Sequence, residues 1–229
     1  MRGALAPRLL SCVGMVTCRV RNVFVPLLVV IALAAAASSL IATQKYGVGV
    51  GRDSVSYLAA ARSIRTGSLD THDGRGYVFW PPALPALLAS IPGDPFVTAR
   101  YLNALLLAAL VVLVGLWTKE ATGRLSGLAA AAVVATSLPL LQAHSHLWSE
   151  PLFIPLTTAS LFCLARYRTR PSTRMLVAAA LLAGAACMTR YSGIALLFTG
   201  ALLLLIDATR SARRRLRAAL LFGAIGIGA

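Results

Sequence analysis

The sequence predicts an all-α protein that crosses a membrane several times. Hydrophobic residues make up 58% of the 229 residues and charged residues only 13%, so a soluble domain of this size could not bury the apolar surface. The apolar residues fall in runs long enough to cross a bilayer, and the basic residues fall in short clusters between those runs. That spacing argues against nucleic acid as the reason for the net charge of +15.

The first predicted span covers residues 24–42 and follows a basic N-terminal segment, residues 1–23. Nineteen residues at the helical rise reach about 28 Å, which crosses the hydrocarbon core. A cleaved signal peptide is the alternative interpretation, because arginines precede the run and small residues end it. Its apolar core would be too long for a signal peptide, so we expect an uncleaved anchor.

Five further spans are predicted within residues 99–206. Their approximate bounds are 99–117, 126–141, 152–166, 175–189 and 193–206. The last two are separated at "TRYSG", residues 189–193, because one long helix would place the next arginine cluster on the wrong side of the membrane. Residues 207–218 form a basic loop. Residues 219–229 are too short to cross, and we interpret them as the truncated start of a seventh span.

The charge distribution predicts the orientation of these spans. One side of the topology carries most of the 22 basic residues, and the other carries most of the seven acids and all three histidines. Because basic loops are retained in the cytoplasm, we expect a multi-pass protein of the plasma (inner) membrane with a cytoplasmic N-terminus. The arginine-rich, alanine-rich and lysine-poor composition is typical of GC-rich bacterial genomes.

The long connection of residues 43–98 is predicted to be an external loop with two short helices on the membrane surface. Asp53 can cap a first helix over residues 54–66, which Gly67 would end. One face of that helix suits a membrane surface, and its residues are Tyr57, Ala60, Ala61 and Ile64. The prolines of "YVFWPPALPALL", residues 77–88, predict an extended segment followed by a second short helix, with Tyr77 and Trp80 at the interface.

Asp53 and Tyr57 are the first candidate functional residues. Asp53 follows the first span, where a carboxylate at the membrane surface can act as a general base. The structural alternative is a helix cap alone. Tyr57 lies one helical turn away and could flank a ligand, or it could simply be an interfacial tyrosine.

The segment "HSHLWSEP", residues 144–151, gives the next candidates. Glu150 begins an apolar run, where it either favours the helix N-terminus electrostatically or faces a cavity. His144, His146 and Glu150 together could bind a divalent cation, although three such residues on a short loop form a weak pattern. The loop "LDTHDGRGY", residues 69–77, offers Asp70, His72 and Asp73, whose spacing matches no strong metal motif. The sequence therefore establishes no cofactor and leaves a divalent metal open.

Arg100 and Arg190 are candidates for binding phosphate, since a guanidinium forms paired hydrogen bonds to phosphate oxygens. Both could instead extend toward lipid headgroups. The sequence contains no phosphate-binding loop, dinucleotide-binding glycine motif, hydrolase nucleophile motif or zinc-protease motif. The four cysteines include no C-x-x-C pair, and we predict neither a disulfide nor a cysteine-bound metal.

The order of several short motifs resembles the N-terminal half of the GT-C type membrane glycosyltransferases. The motifs are "RDSVSYLAAARSIRTG", "WPPALPALLAS", "ARYLNALL", "SEPLFIPL" and "MTRYSGIALL". Among these enzymes, the pattern is most similar to the protein mannosyltransferase and aminoarabinose transferase-like group. The resemblance extends over about residues 23–206.

This resemblance implies transfer of a sugar from a polyprenyl-phosphate donor to an acceptor at the outer face. The acceptor would be an envelope glycan, lipid or protein. By the same resemblance Asp53 is the general base, and the stretch of residues 81–85 opens a surface helix that covers a cavity. Arg190 and Arg100 would lie near the donor phosphate, and Glu150 near the cavity wall.

Two features depart from the family pattern. Many relatives carry a second acid beside the first, whereas Ser54 follows Asp53 here. Later spans and a C-terminal external domain are not present in this sequence, so this polypeptide alone could be inactive. A transporter and a non-catalytic membrane scaffold remain as alternatives. The acids at span ends, rather than at midplane positions, favour the enzyme.

Overall fold

The computed structural model describes residues 6–70, 76–77 and 79–228, with side chains from residue 23 onward. All regular structure in these ranges is α-helical, which confirms the predicted all-α class. The ten helices are α1 (Ala6–Ala42), α2 (Arg52–Ile64), α3 (Ala83–Ser90), α4 (Pro95–Thr122), α5 (Arg124–Thr136), α6 (Leu138–His144), α7 (Glu150–Thr169), α8 (Thr173–Thr189), α9 (Gly193–Leu205) and α10 (Ala212–Gly228).

Several of these helices can cross a membrane. Within the described residues, Val23–Ala42 and Pro95–Thr122 are each long and apolar enough, and α5 with α6 would make a third span if the bent pair counts as one. Thr173–Thr189 and Tyr191–Leu205 are shorter apolar helices. The protein is therefore a multi-pass membrane protein, while the count of six spans and a partial seventh stays a prediction.

Residues 126–141, predicted as one span, are divided between two helices, and their crossing of the membrane as one span stays a prediction. α5 and α6 meet at 57° around Ser137, which has an extended backbone. Pro139 lies at the start of α6, where its missing N–H and its ring prevent a continuous helix. The bend carries the chain toward the loop of residues 145–149.

The long first loop contains the two predicted short helices, but two details differ. α2 begins at Arg52, so Asp53 lies in its first turn rather than at the cap. The Oγ of Ser54 instead accepts a hydrogen bond of 2.9 Å from the backbone N–H of Gly51. Of the candidate metal ligands in "LDTHDGRGY", His72 and Asp73 lie outside the described residues, whereas Asp70 is described.

The sequence predicts that the apolar face of α2 lies on the membrane surface. In the structure this face packs inside the protein instead. Tyr57, Ala60 and Ala61 are buried in a cluster with Leu84 of α3 and Ala99 of α4. Tyr77, predicted at the interface, is buried in the same cluster. A periodic apolar stripe indicates that a face needs an apolar partner, but it does not distinguish lipid from protein.

Small residues allow α1, α4 and α5 to pack closely. A Cβ added at Gly127 of α5 would lie 2.6 Å from the carbonyl oxygen of Gly115 on α4. Ala131 of α5 is buried beside Leu107 and Val111 of α4 and Leu28 of α1. Close backbone approach through small residues is the usual basis of helix association in lipid, where apolar burial gives little driving force.

The second half of the chain forms a bundle of α7, α8, α9 and α10. Phe222 of α10 is fully buried, and its cluster includes Ala180 of α8, Leu204 of α9 and Leu164 of α7. The hydroxyl of Ser160 donates a 2.8 Å hydrogen bond to the carbonyl of Ala179, which joins α7 to α8. This bundle fixes the turn between α8 and α9 relative to the start of α7.

Polar contacts lie at two opposite ends of the helices. At one end Arg190, after α8, binds Glu150 at the start of α7. At the other end Arg166, near the end of α7, binds Glu120 near the end of α4 through two hydrogen bonds. Each end thus has an arginine paired with an acid, and which end is cytoplasmic stays a prediction.

The close contact of α4 and α5 predicts the effect of substituting Gly127. We expect Gly127→Ala to lower the free energy of unfolding by about 1–3 kcal/mol, because the added methyl group meets backbone atoms that cannot rotate away. Thermal unfolding of the detergent-purified chain measures this. Gly223→Ala on α10 is the matched control, because nothing lies within 4 Å of its added Cβ. Equal loss in both variants would contradict the packing described here.

Candidate functional site

A pocket of about 290 Å³ lies where the ends of several helices meet. Its wall comes from α2, the segment before α3, the start of α7 and the turn between α8 and α9. The lining residues are Asp53, Tyr57, Trp80, Pro81, Trp148, Ser149, Glu150, Thr189, Arg190, Tyr191 and Ser192. The structure therefore brings four of the sequence-predicted residues, Asp53, Tyr57, Glu150 and Arg190, into one cavity.

Backbone hydrogen bonds hold two distant loops together beside this pocket. The N–H of Gly49 donates to the carbonyl of Ser145 (2.8 Å), and the N–H of Leu147 donates to the carbonyl of Gly49 (2.9 Å). A Cβ at Gly49 would lie 2.4 Å from the His146 ring, so only glycine permits this approach. The contact places the start of α2 next to the start of α7.

Ser54 strengthens the same junction. It is fully buried, and its hydroxyl donates a 2.8 Å hydrogen bond to the carbonyl of Leu147 while accepting from Gly51. Ser54 directly follows Asp53 in the sequence. Here that position anchors α2 to the 145–149 loop, and it leaves Asp53 as the acid that α2 contributes to the pocket.

Asp53 is half-buried and lines the pocket from the first turn of α2. Its carboxylate makes no hydrogen bond or ion pair with any other described residue. The N-terminus of a helix favours a negative charge at this position. A carboxylate that is positioned by its helix and not occupied by a partner can accept a proton from a ligand.

Arg190 and Glu150 form an ion pair across the pocket. Arg190 Nη1 lies 2.5 Å from Glu150 Oε1 and 2.9 Å from Ser149 Oγ. The remaining nitrogens of Arg190 bond to no other described residue, and both side chains of the pair are partly exposed. Glu150 thus orients the guanidinium while leaving donors that can bind an anionic group.

Tyr57 lines the pocket, and Tyr77 lies near it. Tyr57 is only 3% exposed, and this burial raises the pKa of its hydroxyl, which the nearby Asp53 raises further and a hydrogen bond with Ser149 partly opposes. Burial also raises the pKa of Tyr77, whose hydroxyl has no hydrogen-bond partner among the described residues. Both tyrosines are therefore neutral at physiological pH and can act as hydrogen-bond donors.

Aromatic rings form the other wall of the pocket. Trp148 stacks on His146 with ring centres 4.5 Å apart, and Trp80 meets Phe79 edge-on at 4.9 Å. Tyr191 is 56% exposed at the turn between α8 and α9. Aromatic faces next to a few fixed polar groups are typical of sites for small organic ligands.

Arg100 does not line this pocket. Its Nη2 donates to the carbonyl of Leu40 (3.0 Å) and its Nε to Thr43 Oγ1 (3.2 Å). It therefore caps the last carbonyl groups of α1, where a cation is favourable. Of the two arginines predicted to bind phosphate, Arg190 is the one that lines this pocket.

The structure does not assemble His144, His146 and Glu150 into a metal site. His144 is fully buried, with Nδ1 bonded to the carbonyl of Leu140, while His146 Nδ1 bonds to the carbonyl of Gln142. Across the described ranges, no group of three or more histidine, cysteine or acidic side chains could hold a metal ion. Asp53 and Glu150 are the two carboxylates that line the pocket.

The sequence-based prediction missed several lining residues. Ser149, Trp148 and Tyr191 lie within the quoted motifs "HSHLWSEP" and "MTRYSG", next to the residues that were singled out. The signal was their adjacency to Glu150 and Arg190, but a serine or an aromatic ring alone does not indicate a site. Asn103 was also missed. It is buried and donates a 2.8 Å hydrogen bond to the carbonyl of His146, which stabilises the loop of residues 145–149.

Comparison with protein families matches residues 78–228 to dolichyl-phosphate-mannose-protein mannosyltransferases. Neither the curated proteins nor the solved structures give a match. The matched segment includes Glu150 and Arg190 and begins beyond Asp53 and Tyr57. It covers well over half of the 229 residues. The chain therefore belongs to the dolichyl-phosphate-mannose-protein mannosyltransferase family, within the GT-C superfamily of membrane glycosyltransferases.

Proposed function

We propose that the pocket transfers a sugar from a polyprenyl-phosphate donor to a hydroxyl group of an envelope glycan, lipid or protein. The observation that carries this proposal is the meeting of Asp53 and Arg190 in one cavity, although they lie in widely separated parts of the sequence. A base and a phosphate-binding cation are the two groups that the reaction needs on opposite sides of the sugar.

In the proposed step, the acceptor oxygen attacks the anomeric carbon of the donor sugar. The bond between that carbon and the phosphate oxygen breaks, and polyprenyl phosphate leaves with the electron pair. Asp53 takes the proton of the acceptor hydroxyl. The negative charge that develops on the leaving phosphate is stabilised by Arg190, whose free nitrogens can bind two of its oxygens.

The surrounding residues have supporting roles in this proposal. Glu150 and Ser149 orient the Arg190 guanidinium through their hydrogen bonds. Trp80 and Trp148 offer apolar faces for the sugar ring. Tyr57, kept neutral by burial, can donate a hydrogen bond to a sugar or phosphate oxygen. The pocket lies at helix ends rather than within a span, which suits a lipid-linked donor held at the bilayer surface.

The proposed topology keeps the predicted boundaries. Residues 1–23 and 207–218 lie in the cytoplasm of the cell, and the loop of residues 43–98 lies at the outer face of the plasma membrane, with five spans between residues 99 and 206. Asp53 and Glu150 lie at one end of the helices, and the arginine clusters lie at the other. This separation supports the proposed orientation.

Replacing Asp53 tests the general base. We expect Asp53→Asn to reduce sugar transfer by at least about 100-fold, because the amide cannot accept the proton. Membranes holding the full chain are given polyprenyl-phosphate-linked radiolabelled mannose, and loss of label from the lipid fraction is measured. Asp94→Asn is the matched control: this acid lies on the same loop but caps α4, and asparagine caps as well. Normal transfer by Asp53→Asn would reject the assignment.

Replacing Arg190 tests the phosphate contact. We expect Arg190→Gln to weaken inhibition by added polyprenyl phosphate by about 10- to 100-fold, because charge-assisted hydrogen bonds are lost, and Arg190→Lys to retain part of it. Arg62→Gln, which removes an exposed cation paired with Asp94, should leave inhibition unchanged. The same inhibition constant in Arg190→Gln and the parent chain would show that the phosphate binds elsewhere.

Thiol labelling of intact cells tests the orientation. In a cysteine-free background, a membrane-impermeant reagent should label Ser90→Cys at the end of α3 and fail to label Arg213→Cys on α10 until the cells are opened. Both side chains are exposed in the structure, so a difference in labelling would report the side of the membrane and not burial of the residue. The reverse labelling pattern would place the pocket on the cytoplasmic side.

A further inference from the structure

A second pocket, of about 520 Å³, lies at the helix ends opposite the first. It is bounded by the end of α7, the start of α8 and the start of α10. Four arginines face it: Arg168, Arg210, Arg214 and Arg217. No role in the proposed sugar transfer uses these residues.

One buried acid, Asp207, lies close to two of the four arginines. Asp207 is 3% exposed; its Oδ2 lies 3.3 Å from Arg210 Nε and 4.0 Å from Arg168 Nε. The hydrogen bond from the Thr209 hydroxyl and the two nearby guanidinium groups hold the pKa of Asp207 below its ordinary value. The carboxylate is therefore ionised and neutralises one positive charge.

Arg210 is held in a single orientation. Its Nη2 donates to the carbonyl of Tyr167 (2.7 Å), and its guanidinium stacks over the Tyr167 ring at 4.2 Å. With Asp207 on a third side, the group is only 11% exposed. A fixed guanidinium loses little entropy when it binds an anion.

Arg214 and Arg217 leave the pocket with an excess of positive charge. Their guanidinium groups make no hydrogen bond or ion pair with any residue that the structure describes. They lie on the first turns of α10, so both extend into the same space as Arg168 and Arg210. One acid among four arginines leaves a repulsion that a bound anion would relieve.

Part of the remaining lining is apolar. Leu176 on α8 and Ala218 and Leu221 on α10 line the pocket, and both helices continue as apolar segments. A ligand here would have its charged group among the arginines and an apolar part along the helices. A free phosphate has no such apolar part, whereas a membrane phospholipid does.

We propose that this pocket binds the phosphate group of an anionic phospholipid from the leaflet on the arginine-rich side, with its acyl chains along α8 and α10. The site would join α7, α8 and α10 at their ends and hold the second bundle in place in the bilayer. The proposal stands on the second pocket alone and does not depend on the proposed sugar transfer.

Lipid binding by the full chain in a neutral detergent tests this site. Native mass spectrometry measures the affinity for phosphatidylglycerol, with phosphatidylcholine as the zwitterionic comparison and inorganic phosphate as a competitor. We expect Arg214→Gln/Arg217→Gln to weaken phosphatidylglycerol binding by roughly 30-fold, the combined effect of two arginines at an anionic surface. Lysine at both positions should restore most of the affinity.

The matched control removes the same charge outside the pocket. Arg174→Gln/Arg213→Gln replaces two exposed arginines on α8 and α10 that do not line it, and binding should stay within about twofold of the parent chain. Thermal unfolding without lipid confirms that both double variants fold. Equal losses in the two variants would overturn the site, because they would show binding by overall charge. Competition by inorganic phosphate at matched concentration would overturn the lipid assignment in favour of a soluble phosphate ligand.

Discussion

The candidate site depends on the junction between the loop of residues 43–51 and the loop of residues 145–149. Two backbone hydrogen bonds between Gly49 and the second loop, together with the bond from Ser54 to Leu147, join segments that are about a hundred residues apart. Buried backbone groups must be paired, and in an apolar environment an unpaired group is costly. The junction satisfies these groups and thereby sets the position of α2 against the start of α7.

The same junction explains why Ser54 is compatible with a site of this kind. A carboxylate at this position would be buried without a cation beside it among the described residues, and an unpaired buried charge is strongly unfavourable. A serine hydroxyl can both donate and accept, and here it does both. Asp53, one residue earlier, lines the pocket from α2, so Ser54 stabilises the scaffold while Asp53 supplies the acid.

The two pockets, which lie at opposite ends of the helices, differ in their balance of positive and negative charge. At the first pocket, Arg190 is balanced by Glu150, and Asp53 adds a further negative charge, so the site has no excess of positive charge. At the second pocket, Asp207 is the one acid paired with the four arginines among the described residues, so the positive charge itself is the recognisable feature. Since apolar helices separate these ends, each pocket can bind its ligand from its own face of the membrane.

The sequence by itself determined the helical class, the approximate places of several helices and the distribution of charge, because these follow from local apolar periodicity, prolines and loop arginines. It also singled out Asp53, Tyr57, Glu150 and Arg190 as candidates, since polar and ionisable side chains next to membrane spans are unusual unless they have a function. Only the tertiary structure decided that these four share a cavity, that Arg100 binds the end of α1 instead, and that His144 is a buried helix residue. Local pattern cannot supply that information, because a side chain's partner is set by the packing of distant segments. The apolar face of α2 is the clearest example: the stripe required burial, and only the fold showed that α3 and α4, rather than lipid, provide it.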